Sequence, residues 1–173
     1  MKSAVLFGIL APFLLVQAHA QKTAWRQATA TELASVVPSR VQVVNEHIET
    51  EMRTASGIVN DRGQFIAGVV LLTAGYSADG KYSHYLVVQA PIRIASFALP
   101  PGNYLLGWTR AGAEDALTVH VNVAATGKLS GTVKAKRIQG PGRVESIRIW
   151  LPQGHGLIQI GRFGIPFELG KNH

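Results

Sequence analysis

A chain of 173 residues without a single cysteine is long enough to bury a core by packing alone, which excludes the small disulfide-stapled secreted scaffolds. Lysine and arginine outnumber aspartate and glutamate 17 to 10, a net +7 at neutral pH. An excess of that size favours anionic partners and helps keep a surface soluble.

The first 20 residues read as a secretory signal peptide. Lys2 supplies the charged start, residues 4–16 an apolar core, and Ala18-His19-Ala20 a small-x-small cleavage site, so cleavage is expected after Ala20. The apolar run falls short of the roughly 20 residues of a membrane span, and no later segment approaches that length, so no transmembrane span is expected. No cysteine stands near the cleavage site to carry a lipid, and no Asn-x-Ser/Thr acceptor occurs. The expected setting is therefore bacterial, periplasmic or secreted. Without Lys2 the balance is 16 basic to 10 acidic residues; outside the cytoplasm that points away from nucleic acid and toward anionic polysaccharide or another cell-envelope component.

Residues 21–40 form a lead-in followed by a short helix, because Thr29-Ala30-Thr31-Glu32 has the spacing of a capping box and Pro38 closes what it opens. From residue 41 to the end the pattern has a period of two. Over 41–53, Ile48, Thr50 and Met52 alternate with His47, Glu49, Glu51 and Arg53, as in a strand with one wet side. Ser56-Gly57-Ile58-Val59 runs into a turn at Asn60-Asp61-Arg62-Gly63, in which Asp61 is suited to cap its own turn. The unbroken apolar run from Val69 to Leu72 fits a central strand covered on both faces.

A turn at 78–81, where Asp79 precedes Gly80, leads to 82–89, with His84 on the face of Leu86 and Val88. Residues 90–110 read as two antiparallel strands joined at Leu99-Pro100-Pro101-Gly102-Asn103, with Gly102 free to take positive φ. Leu117, Val119, Val121 and Val123 then alternate with Thr118, His120 and Asn122. Thr132, Lys134 and Lys136 share one side of 129–138, and Arg148 and Trp150 oppose Ile147 and Ile149 in 144–151. A turn at 152–156 leads to 157–163. In the last stretch, 164–169, Pro166 is expected to bar a place in a central ladder.

Short strands with turns at nearly every break predict one all-β domain over 41–173, an antiparallel β-sandwich of transthyretin- or Ig-like type with a short N-terminal helix. Two segments carry a family resemblance. Residues 56–71, Ser56-Gly57-Ile58-Val59-Asn60-Asp61-Arg62-Gly63 through Gly68 and Leu71, and the later Leu99-Pro100-Pro101-Gly102-Asn103-Tyr104, resemble the opening strands and the Pro-Gly-x-Tyr hairpin of carboxypeptidase-regulatory-like, transthyretin-like β-sandwich domains. The resemblance implies an accessory or binding domain and transfers no catalytic residue. The C-terminal half, with Arg143-Val144-Glu145-Ser146-Ile147-Arg148-Ile149-Trp150, resembles instead uncharacterised small exported bacterial proteins.

Enzymatic chemistry finds little to stand on. There is no Gly-x-Ser-x-Gly elbow, and Ser56 before Gly57 lies in a strand. Gly140-Pro141-Gly142 and Gly154-His155-Gly156 lack the spacing and following helix of a phosphate loop. His47, Glu49 and Glu51 project from one strand face about 7 Å apart, too far for adjacent members to share an ion, so no metal and no cofactor are expected. A small hydrolase would need at least two of His47, His84, His120 and His155 to meet each other or a carboxylate; His155, between glycines, equally suits a plain turn.

The candidate binding surface is a strip of His120, Lys134, Lys136, Arg148 and Trp150, whose faces coincide if 117–123, 129–138 and 144–151 form a meander. Register decides this. An aromatic ring among cations suits sugar rings or acidic polymers. The expected function is a non-enzymatic binding or accessory domain. A self-associating envelope protein with an open edge near 41–53 is a third possibility.

Overall fold

A computed structural model describes residues 24–73, 82–110, 115–140, 142–153 and 155–170. The expected signal peptide and cleavage site, the expected 78–81 turn and most of the 111–115 loop lie outside the described residues. Among the described residues no helix is long and apolar enough to cross a membrane.

Local signals govern the N-terminal part. β1 (Trp25–Gln27) precedes α1 (Ala30–Val36). The Thr29 side chain accepts the Glu32 backbone N–H at 3.3 Å, and the Glu32 carboxylate accepts the Thr29 backbone N–H at 2.8 Å. This is the reciprocal pair that the Thr-x-x-Glu spacing predicts. The Arg26 guanidinium, followed by the Thr29 backbone, holds the Glu32 carboxyl down at about 2.

The alternation over 41–53 is present but divided. β2 (Arg40–Val43) and β3 (Glu46–Asn60) pair as a hairpin whose tip places Val44 at φ 56°. That left-handed conformation is unfavourable for a β-branched residue. β3 continues through Ser56–Val59, because an irregularity between Glu51 and Ser56 is absorbed within the strand. Thr54 bridges the gap: its Oγ1 accepts the Val70 N–H at 3.0 Å and donates to the Glu51 carbonyl at 2.7 Å. In the turn that follows, Asn60 does the capping expected of Asp61, with Oδ1 accepting the N–H of Arg62 and of Gln64.

β4 (Phe65–Leu71) is covered on both faces, as its apolar run requires, and pairs with β5 (His84–Val88). Next, β6 (Ile92–Ile94) and β7 (Phe97–Leu99) form their own small hairpin. β8 (Gly102–Arg110) pairs with β5 and with β9 (Ala116–Val123), so the proline turn is a corner between different neighbours and not the tip of a hairpin. Tyr104 fixes that corner by donating its hydroxyl to the Pro100 carbonyl at 2.7 Å, and Gly102 is not among the positive-φ residues.

β10 (Leu129–Arg137), β11 (Glu145–Gln153), β12 (His155–Gly161) and β13 (Phe163–Leu169) complete the chain. The hydrogen-bonded path runs β1-β3-β4-β5-β8-β9-β10-β13-β12-β11. Pro166 does not exclude β13 from the interior of the sheet. Gly164 and Phe163 pair with β10 and residues Phe167–Leu169 pair with β6, while Ile165 and Pro166 fall between those neighbours. The missing N–H is therefore placed where the third strand changes.

The all-β antiparallel class and the short helix are observed. The strands are paired along one curled, nearly closed path, whereas a sandwich would require two facing sheets. The inside is filled by one apolar cluster that includes Ile58, Ile66, Leu86, Leu106, Val119, Ile149, Ile158 and Phe167. A second cluster lies outside the sheet, where Leu33 and Val37 from the helical region and Val41 and Val43 of β2 cover Ala67, Val69, Tyr85 and Leu105. Gly57 permits the helix to approach, since a Cβ there would stand 2.8 Å from a Leu33 methyl.

Candidate functional site

The path separates the expected strip into two parts. His120 lies on β9, and Lys134 and Lys136 on β10; His120 Nδ1 is 3.3 Å from Thr132 Oγ1. Arg148 and Trp150 stand on β11. β13 and β12 intervene between β10 and β11, so the meander assumed for the strip is not formed. Three strand spacings, roughly 14 Å along the sheet, divide the lysines from the indole. Trp150 is 41% exposed, whereas Phe167 is buried in the inner cluster.

Other cations gather around Trp150. Arg137 and residues 138–140 border a groove of about 290 Å³ that is also lined by Trp150, Leu157, Gln159, Arg143, Arg162 and Glu145. Gln159 organises it. Buried to 5% exposure, its Oε1 accepts the Trp150 indole N–H at 2.9 Å. Its Nε2 donates to the carbonyls of Arg143 at 2.8 Å and Gly161 at 2.9 Å. One amide thus fixes both the ring and the segment that carries Arg143.

The charges around the groove differ in their engagement. Arg137 is ion-paired with Asp115 and lies over the Phe163 ring at 5.9 Å. Among the described residues Arg143 and Arg162 have no ion-pair partner. Arg148 sits over the Trp150 ring at 5.1 Å, and its Nε is buried without a hydrogen-bond partner. It does not line the groove. Of the expected strip, Arg148 and Trp150 belong to this site, while His120, Lys134 and Lys136 do not.

Sequence reasoning missed Gln159, Arg143 and Arg162 as site residues. A signal was available in Leu157-Ile158-Gln159-Ile160, where a long amide interrupts an apolar strand and so requires buried partners.

The histidines do not gather. His84 is buried, with Nε2 3.0 Å from the Ser146 carbonyl and Nδ1 2.8 Å from Ser83 Oγ. Since a carbonyl only accepts, Nε2 carries the proton and Nδ1 accepts from the Ser83 hydroxyl. Burial pushes the ring down to about 4, against the opposing pull of the Ser146 carbonyl. His155 stands 3.5 Å from Glu168 at a different surface, and His47 is exposed on β3. Among the described residues no group of three His, Asp or Glu could hold a metal ion.

No family model, no curated protein and no solved structure matches this chain.

Proposed function

We propose that the chain is an exported, non-enzymatic binding module that recognises an anionic glycan of the cell envelope through the Trp150 groove. One observation carries the reading: an exposed indole, held by a buried glutamine, faces a groove flanked by two arginines without ion-pair partners among the described residues. Aromatic faces suit the C–H surfaces of sugar rings, and guanidinium forks suit carboxylates and sulfates. The net positive charge would raise the local concentration of such ligands. The leader-like first 20 residues and their small-residue cleavage site support export, with the processed chain beginning at Gln21.

Two measurements test this. Expression of the full sequence in a bacterial host, followed by fractionation and N-terminal sequencing, is expected to return a periplasmic or secreted chain starting at Gln21; a cytoplasmic chain that retains Met1 overturns export. Calorimetric titration with acidic and neutral oligosaccharides is expected to show binding to acidic ones that Trp150→Ala weakens. If no acidic oligosaccharide binds at millimolar concentration, the groove is not a glycan site.

A further inference from the structure

Resting on the reading of the groove as a glycan site, we infer that its ligand is a single carboxylate-bearing sugar ring, a uronate at a chain end or branch, and not a run of densely sulfated polymer. Size is the first argument. About 290 Å³ stands at the small end of the roughly 300–1,000 Å³ typical of ligand clefts, room for one ring and its substituents.

Charge is the second. Arg137 is neutralised by Asp115, and Glu145 opposes one of the two remaining guanidinium groups, Arg143 and Arg162. The lining then carries a net charge of about +1, which balances one carboxylate. A polysulfate would need a continuous cationic track, and Glu145 would repel it. Toward a uronate, Glu145 has a use, since a carboxylate accepts hydrogen bonds from ring hydroxyls.

The third argument is the indole. Arg148 lies over the Trp150 ring but does not line the groove, so it draws on the negative quadrupole of the ring without taking up the ligand's space. The surface turned to the groove is thereby better suited to a ring that bears negative charge than to a cation. Gln159 holds the indole and the Arg143 backbone together before any ligand arrives, which lowers the ordering cost of binding.

The test compares three probes on the processed chain by calorimetry: a digalacturonate, the matching neutral galactose disaccharide, and a sulfated disaccharide, the two charged ones each with longer homologues. The digalacturonate is expected to bind, the neutral analogue to bind at least about tenfold more weakly, and affinity to change little as the uronate chain lengthens. Trp150→Ala and Arg162→Ala are each expected to cost about tenfold, and Trp150→Phe less than Trp150→Ala, with circular dichroism confirming the fold of every variant. Glu145→Gln should move preference toward the sulfated probe. Sulfated chains that bind more tightly, gain affinity with length and ignore Trp150→Ala would overturn the single-uronate inference while leaving an anionic-glycan module standing. Equal affinity for the neutral disaccharide would overturn it as well. If none of the three binds, the underlying reading fails too.

Discussion

Ser56 Oγ accepts the Ile149 N–H at 3.0 Å in the interior, joining β3 to β11 from opposite regions of the strand path. The outer edge of β3 is taken by β2 at Glu46–Glu49 and by β1 at Ile58–Asn60. The stretch between them lies near β11 without pairing with it as a ladder among the described residues. A serine side chain supplies there what a ladder supplies elsewhere. Ser56→Ala would leave the Ile149 N–H buried without a partner, and is expected to lower stability by about 1–3 kcal/mol, read as a reduced denaturant midpoint at unchanged slope. A midpoint equal to that of the parent would mean that packing alone closes the seam.

His84 makes a second tie to β11, from β5 to the Ser146 carbonyl. Burial holds the folded imidazole neutral down to about 4, against an ordinary value of 6.5. The unfolded chain therefore takes up a proton first as pH falls. The contribution is complete above pH 6.5 and lost progressively between 6.5 and about 4, with a total of roughly 3 kcal/mol. Unfolding free energies at pH 7, 5.5 and 4.5 should decline for the parent more steeply than for His84→Gln, which keeps a donor for Ser146 but does not titrate. Parallel declines would assign the acid sensitivity to other groups.

Local chemistry was readable in the sequence; choice of neighbour was not. Thr29 and Glu32 could be paired from their spacing because both partners lie within one turn of helix. The faces of Leu117, Val119, Val121 and Val123 and of Lys134 and Lys136 were likewise readable, because alternation assigns a face without reference to any other strand. Alternation does not say which strand lies alongside. The pairing of Phe97–Leu99 with β6, the admission of Pro166 to an inner strand, and the insertion of β13 and β12 between β10 and β11 all depend on contacts distant in sequence. The strip of His120, Lys134, Lys136, Arg148 and Trp150 was divided for that reason, and the groove drew its arginines from segments whose approach no periodicity records.

The inside of the sheet offers a volume test. A Cβ at Gly68 would stand 2.4 Å from the Ile147 Cδ1, and Ile147 is itself buried. Gly68→Val is expected to destabilise by about 1–3 kcal/mol or more through overpacking. Combined with Ile147→Ala, it should cost less than the sum of the two single changes, because each substitution relieves the other. Additive losses in thermal unfolding would show that β11 does not press on β4 at this point.

Gln159 links fold to site, and its replacements separate shape from hydrogen bonding. Its amide accepts from the Trp150 indole and donates to two carbonyls. Gln159→Leu keeps the volume and loses all three bonds, leaving the Arg143 and Gly161 carbonyls and the indole N–H to find water. Gln159→Glu retains the acceptor for the indole but sets a buried carboxylate against both carbonyls, which is worse than a missing bond. The expected order of melting temperature is parent above Gln159→Leu above Gln159→Glu at pH 7. The gap between the two variants should narrow as pH falls toward the carboxylate range, since the introduced carboxyl regains a donor once it is protonated. Both variants should weaken uronate binding more than Lys134→Ala does, because Lys134 does not line the groove. A Gln159→Leu variant that binds as the parent does would separate the indole's position from the ligand's.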